Sequence, residues 1–528
     1  MPSDLLITGG LVFDGAGRPQ PADVAVRDGR IEAVGTLDGI EAAQRIDASG
    51  LAVAPGFIDA HTHSDMTCFF GPEGEHLATA DVRQGVTTEV CGNCGFSPFP
   101  HLPEHAGSFR RHTETLFGPA EIPWTDFDGY ASAAEAARLH GNLAPLIGHG
   151  SLRAGVMGFD DRPASAEELE RMLRMLDAAL EQGVVGFSSG LIYPPGRYAQ
   201  VEELIELARV SARYGRPYAT HMRGETDMVT GSIEEAIAIA RGGGCPLHIS
   251  HHKVAGRENW GRTRETLAQI DRAAAVLDVT LDVYPYTAAS TLLYTLLPPW
   301  AQAGGIAAML QRLEDPRARE RIRRAFVQGP PGWENYARAA GWDGIVISSC
   351  RSAPELEGRS IAALARDAGS EPDALVLDVL ADARAEVTMV LHMLDEDDVE
   401  RVLAHPLTMV GSDGIPLAGK PHPRWAGSFA RVLGRYSRER GLLELGTAIN
   451  KMTRMPAERF GLSDRGRVEA GCVADLVVLD PVTIADCATF DEPLLAPVGV
   501  RDVLVAGVPV VRDAQLTGAT PGRVLRAR

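Results

Sequence analysis

The stretch AVAPGFIDAHTHSD, residues 52–65, closes a run of small and apolar residues with two histidines, His61 and His63. Two positions apart on an extended chain, both imidazoles point to one side. Asp59 and Asp65 flank them, the kind of set with which a strand end grips a metal ion. Alone the pair is a weak signal, because H-x-H arises by chance on many surfaces. Further donors end later apolar stretches: Cys94 in TTEVCGNC, His221 in PYATHMR, His251 in PLHISHHK and Asp413 in PLTMVGSD. Imidazole, thiolate and carboxylate from separate strands suit zinc, which is borderline-soft, redox-inert and content with three protein ligands plus a water. Each has a plainer reading. Cys91 and Cys94 form a C-x-x-C, half of a structural zinc site or a redox pair, but no second C-x-x-C exists. Asp413 could cap a helix. Strand alternation does not choose among His248, His251 and His252, since 248 and 252 share one face and 251 takes the other.

Positioning these residues requires strands whose ends converge. GFIDAHTH, TTEVCGNC, NLAPLIGHG, VVGFSSGL, PYATHMR, PLHISHHK, TLDVYPYT and PLTMVGSD are eight candidate strands, with amphipathic runs such as SAEELERMLRMLDAALEQG between them. That rhythm predicts an α/β fold, a (β/α)8 TIM-type barrel over about residues 55–463. An open doubly wound sheet shares the pattern, but polar residues gather at the strand ends, where a barrel keeps its chemistry. Both termini alternate apolar and polar residues and break at Gly or Asp-Gly. They predict a small β-sandwich assembled from residues 1–54 and 464–528. Residues from about 291 to 346, with LEDPRARERIRRAF and QGPPGWENYA, interrupt the rhythm as an insertion after the seventh strand. Such insertions serve as lids or as elaborations with no part in the reaction.

Bulk properties narrow the class. The 528 residues are 45% hydrophobic and 23% charged, with a formal net charge of -19. That charge argues against nucleic acid or an anionic membrane as partner. The N-terminus lacks a basic, apolar leader, no stretch approaches the roughly 18–20 apolar residues of a membrane helix, and seven scattered cysteines do not form a disulfide framework. A soluble cytoplasmic enzyme with a small-molecule substrate is expected; oligomeric state is not readable. Lysine occurs only at positions 253, 420 and 451.

PGFIDAHTHSD, THMRGE, ISHHK and VGSDGIP resemble the amidohydrolase superfamily. GVTTEVCGNCGFSP, ISHHKVAG, LDVYPYTAAST and GSDGIP followed by HPR are more closely similar to the N-acyl-D-amino-acid deacylases (D-aminoacylases). The resemblance runs along nearly the whole chain and implies a metal-dependent barrel with a small β-domain. It implies one tight zinc site at Cys94, His221 and His251, the SHHK match selecting the first of the adjacent histidines. His61 and His63 would line a second, weaker metal position, with Cys94 bridging and Asp413 nearby. Many binuclear relatives bridge their metals with a carbamylated lysine; no lysine precedes 253, so that bridge is impossible on the first five strands. Zinc would bring a bound water's pKa toward ~7, and Asp413 would carry its proton to the leaving nitrogen.

The resemblance places Lys253, Tyr284 and Arg424 at the substrate's α-carboxylate, which arginine matches with two prongs and tyrosine with a hydroxyl. Ser290 and Tyr193 match pocket-lining positions. The implied reaction is zinc-dependent hydrolysis of N-acyl-D-amino acids. The uncharged stretch YPYTAASTLLYTLLPPW, residues 284–300, favours neutral, hydrophobic side chains. An N-acyl-D-glutamate or N-acyl-D-aspartate deacylase is the alternative, followed by a mononuclear deaminase of the same superfamily; a non-catalytic scaffold fits poorly with a full ligand set. His149 is expected to support by hydrogen bonding. His76, His101, His105, His112, His140 and His405 are expected as surface or loop residues.

Overall fold

Short alternating stretches at the N-terminus form β1 (Ser3–Val12), β2 (Gln20–Arg27), β3 (Arg30–Gly35), β4 (Ala42–Asp47) and β5 (Ala52–Pro55). They belong to a computed structural model that describes residues 3–15, 19–118, 120–329 and 332–527. Gly56 then turns the chain into the barrel at a position where a Cβ would collide with Thr87.

The barrel begins with parallel strands β6 (Phe57–Asp59), β7 (Val86–Cys91) and β8 (Asn142–Pro145). It continues through β9 (Ile147–Gly148), β10 (Phe187–Gly190), β11 (Tyr218–His221), β12 (Leu247–Ile249) and β13 (Val279–Val283). β8 and β9 are one strand interrupted at Leu146, whose N–H donates to Cys91 O at 2.9 Å. Covered on both faces, these strands read as apolar runs; all six residues of β7 are buried. Between strands, sequence signals set the helix ends. In Ala166–Gln182, Ser165 and Glu168 form a capping box, Met172, Leu176 and Leu180 face the core, and left-handed Gly183 stops the helix.

After β13 come β14 (Ala288–Leu292), β15 (Ile345–Cys350) and β16 (Val387–His392), an antiparallel sheet ordered β14-β16-β15. The interruption expected at about 291–346 is thus longer. It extends to β16, which returns to pair with β14, Ser290 opposite Val390, and with β15; alternation along a strand says nothing about which sheet it joins. β17 (Thr408–Val410) resumes the barrel beside β13. The ring closes where Ala60 N–H donates to Val410 O at 3.3 Å and Thr62 bridges Gly414. With β8 and β9 counted once, this is a (β/α)8 barrel whose strand C-termini share one mouth.

The chain then returns to the first sheet as β18 (Leu476–Leu479), β19 (Val500–Val505), β20 (Val508–Arg512) and β21 (Gln515–Leu516). β18 pairs with β5, so nine strands from both termini are continuous among the described residues. Leu5, Ile7, Val24, Ile46, Leu476 and Leu504 pack into one cluster between them, as in a sandwich. The last residues depart from the expected sandwich segment. They run back along the barrel, Leu525 N–H donating to Leu143 O and Ala527 N–H to Gly183 O. No helix among the described residues is long and apolar enough to cross a membrane.

Candidate metal centre and active site

Cys94 lies in the tight turn after β7. Its φ is 52°, and Gly92 and Gly95 beside it are also left-handed; a Cβ on Gly92 would collide with the Leu146 carbonyl. The turn aims Sγ into the barrel mouth, 3.4 Å from His61 Nε2, 3.6 Å from His221 Nδ1 and 3.5 Å from His251 Nε2. Asp413 Oδ1 is 3.4 Å from His61 Nε2 and 3.3 Å from His63 Nε2. Two buried donor groups result, Cys94–His221–His251 and His61–His63–Cys94–Asp413, sharing the sulfur. A tetrahedral zinc with ordinary Zn–S and Zn–N bonds separates sulfur from nitrogen by about 3.5 Å, a spacing that the sulfur keeps to His221 and His251 and also to His61. Nε2 of His221 and Nδ1 of His63 are buried without a hydrogen-bond partner. Like Cys94, His251 (φ 35°) and Asp413 (φ 51°) hold left-handed backbones, strain that a surrounding fold retains at working sites.

The supporting acids are as telling. Asp282, on β13, places Oδ2 3.3 Å from His61 Nδ1 and 2.8 Å from His248 Nε2, and Oδ1 accepts the His251 N–H at 2.9 Å. Burial favours its neutral form, but the charge of His61 and the bonds from His248 and His61 outweigh it and hold the carboxyl well below the usual range. Asp59 Oδ1 accepts the N–H groups of His61 (3.1 Å) and Ser412 (2.8 Å), tying the first strand to the eighth. His248 is therefore a support, and His252 bonds Thr266; His251 is the histidine that meets the sulfur.

His63, Cys94, His221, His251 and Asp413 line a cavity together with Lys253, Tyr284, Ser290 and Tyr193. Its other wall is apolar: Phe96, Leu116, Ile192, Leu391, Met393 and Ile415. Lys253 is the only lysine or arginine among the described lining residues. Its Nζ lies 2.6 Å from Glu225 Oε1 and 2.8 Å from His251 Nδ1. The Tyr284 hydroxyl is buried and unpartnered, whereas that of Tyr193 is spent on Thr291 at 2.8 Å.

Arg424 is placed differently from the other substrate candidates. It is 1% exposed and lies behind the lining, with Nη1 2.9 Å from Asp413 Oδ2, Nη2 donating to Ser290 O and the guanidinium 4.6 Å over the Tyr284 ring. Arg424 opens the helix Arg424–Arg431, which brings it against the acid rather than into the open cavity. Its Nε has no partner.

Two histidines expected at the surface or in loops are buried, His112 on a helix and His101 in a loop. His112 stacks on Phe96 at 4.4 Å and His101 on Phe109 at 4.6 Å, because the helix Ala106–Phe117 packs that face against the turn bearing Cys94. His149 does support: Nε2 lies 2.7 Å from Glu203, which also takes Arg153 at 2.6 Å. Asp282, Glu225 and Glu334 were not singled out. A lone Asp within the apolar strand LDV was a usable signal, since a buried carboxylate needs partners; Glu225, four residues after His221, was a fainter one. Glu334 gave none.

The sequence profile of the Amidohydrolase family matches residues 44–511. The chain belongs to the amidohydrolase family. It is 41% identical to the N-acyl-D-glutamate deacylase of Alcaligenes xylosoxydans xylosoxydans, over 99% of this chain and 96% of that one. It is 39% identical to the D-aminoacylase of the same organism, over 99% and 98%. The crystal structure of N-acyl-D-glutamate deacylase from Bordetella bronchiseptica, complexed with zinc and a phosphonate mimic of the tetrahedral intermediate, matches with a TM-score of 0.84 and 40% identity over 100% of both chains. Among amidohydrolases it thus falls in the D-aminoacylase branch, and it is a hydrolase.

Proposed function

We propose that the protein is a zinc-dependent deacylase that cleaves the amide bond of N-acyl-D-amino acids, preferring neutral, apolar side chains. The observation that carries this reading is the convergence of His221 Nδ1 and His251 Nε2 on Cys94 Sγ, at 3.6 and 3.5 Å, beside a buried Asp413. These three would hold the tight zinc, and His61 and His63, with Cys94 and Asp413, a weaker second ion. Bound there, the metal supplies a Lewis acid for the scissile carbonyl and lowers the pKa of water. Asp413 takes the proton of the attacking water and returns it to the departing nitrogen. Arg424, 2.9 Å away, orients that carboxylate and stabilises its charge. Lys253 and the free Tyr284 hydroxyl receive the substrate's α-carboxylate, with Ser290 and Tyr193 completing the wall; Arg424, matched by resemblance to that role, acts on it from behind Tyr284 and Asp413.

Preference for the D form rests on the relatives alone. Side-chain preference does not, because glutamate and general D-aminoacylase relatives are almost equally identical. What supports a neutral side chain is the cavity: the lining cation among the described residues is already matched by Glu225 at 2.6 Å, and Phe96, Leu116, Ile192, Leu391, Met393 and Ile415 form one apolar wall. The test is amine release from N-acetyl-D-methionine, N-acetyl-L-methionine and N-acetyl-D-glutamate, repeated with Cys94→Ala. Release from D-methionine first, lost in the variant together with bound zinc, is expected. Faster release from D-glutamate would overturn the side-chain preference, and full activity of the variant would overturn the metal site.

A further inference from the structure

The insertion sends one buried carboxylate into the barrel mouth. Glu334, 2% exposed, accepts the N–H groups of Glu225 (2.9 Å) and Thr226 (3.0 Å) on Oε2 and the Thr226 hydroxyl (2.8 Å) on Oε1. Every bond lands on the loop that follows β11 and His221. The approach is close: a Cβ on Gly224 would lie 2.7 Å from Glu334 Oε1. Glu225 is thereby fixed by its own backbone, and its side chain reaches Lys253 Nζ at 2.6 Å and His251 Nδ1 at 3.1 Å. Two residues beyond Glu334, Tyr336 lines the same cavity.

A lysine side chain has several rotatable bonds, and holding its ammonium in one place takes a partner that is itself held. Glu225 is that partner, and Glu334 holds it. We propose that Glu334 is a positioning residue for substrate binding, which fixes Lys253 for the α-carboxylate by locking the Glu225–Thr226 backbone to the insertion. The proposal rests on the reading that Lys253 receives that carboxylate.

The test is steady-state kinetics on N-acetyl-D-methionine with zinc content measured for each protein. Glu334→Ala is expected to raise KM by about tenfold, the low end for loss of a supporting contact, with kcat and zinc near wild type. Glu334→Gln keeps an acceptor for both N–H groups and turns its amide toward the Thr226 hydroxyl, so it is expected to restore wild-type KM. Gly224→Ala, whose Cβ would press on Glu334 Oε1 at 2.7 Å and on Met228 at 2.9 Å, displaces the carboxylate without removing it; it should repeat the KM rise and stands in if Glu334→Ala does not fold. Lys253→Met should raise KM on its own, and adding Glu334→Ala to it should raise KM no further. A KM unchanged in Lys253→Met would overturn the carboxylate reading itself. With that reading intact, an unchanged KM in both Glu334→Ala and Gly224→Ala, additive effects in the double variant, a loss confined to kcat, or a Glu334→Gln variant no better than Glu334→Ala would overturn the role of Glu334.

Discussion

Asp282 is fully buried and is not among the residues lining the active-site cavity, yet it bears on both donor groups. It fixes His61 through a ring nitrogen and His251 through a main-chain N–H. A carboxylate on Nδ1 of His61 leaves Nε2 free to ligate, the usual service of such outer partners. Asp282→Asn keeps the size but can turn an NH2 group toward His61 or His248. We expect zinc affinity and kcat/KM to fall about 10–100-fold, read by metal titration and kinetics on the same samples. The candidate ligands were legible in the sequence because metal chemistry draws on few residue types and each stood at the end of an apolar run, though only the resemblance chose His251 over His248 and His252. What Arg424 touches was not, since that depends on where a helix begins in space rather than on spacing from Asp413.

The network behind the Cys94 turn joins two helices. His149 and Arg153, on His149–Val156, meet Glu203, on Val201–Arg213. Burial pushes the Glu203 carboxyl up, but the hydrogen bond and charge of His149 and the charge of Arg153 bring it down to about 2 from 4.5. A carboxylate whose folded pKa is lowered contributes stability that is complete above its unfolded pKa and is lost as pH falls toward the folded one. The window is therefore about 4.5 down to 2, and a shift of this size is worth on the order of 3 kcal/mol. Glu203→Gln should be less stable than wild type at pH 7, with the gap narrowing between pH 5 and 3 in urea unfolding. A constant gap would show that ionisation of Glu203 is not what joins the helices. The eight barrel strands were legible because burial on both faces gives them a plain apolar signature. The β14-β16-β15 sheet was not, because its pairing joins residues about a hundred positions apart.

At the level of the whole chain, one residue sits where sandwich and barrel meet. The main-chain oxygen of Asp475 accepts the Gly56 N–H at 2.7 Å. Its side chain accepts the Ala506 N–H at 2.7 Å and the Asn142 amide at 3.2 Å, and is paired with Arg465. Removing one member of a buried ion pair costs about 3–5 kcal/mol. Asp475→Ala should lose that much in urea unfolding while the folded enzyme keeps its turnover. A small loss of stability would mean that strand pairing between β5 and β18 suffices to hold the two parts together.

The scarcity of lysine has a practical consequence for handling the enzyme. Lys451 is 2% exposed and bound to the carbonyls of His405 and Thr408, and Lys253 is buried in the cavity against Glu225. Lys420, with 40% of its side chain exposed, is the one lysine open to an aldehyde or succinimide support. It lies between Asp413 and Arg424 in the chain, so coupling at Lys420 would tether the segment that carries the candidate acid and its arginine. Attachment through the abundant surface carboxylates leaves that segment free.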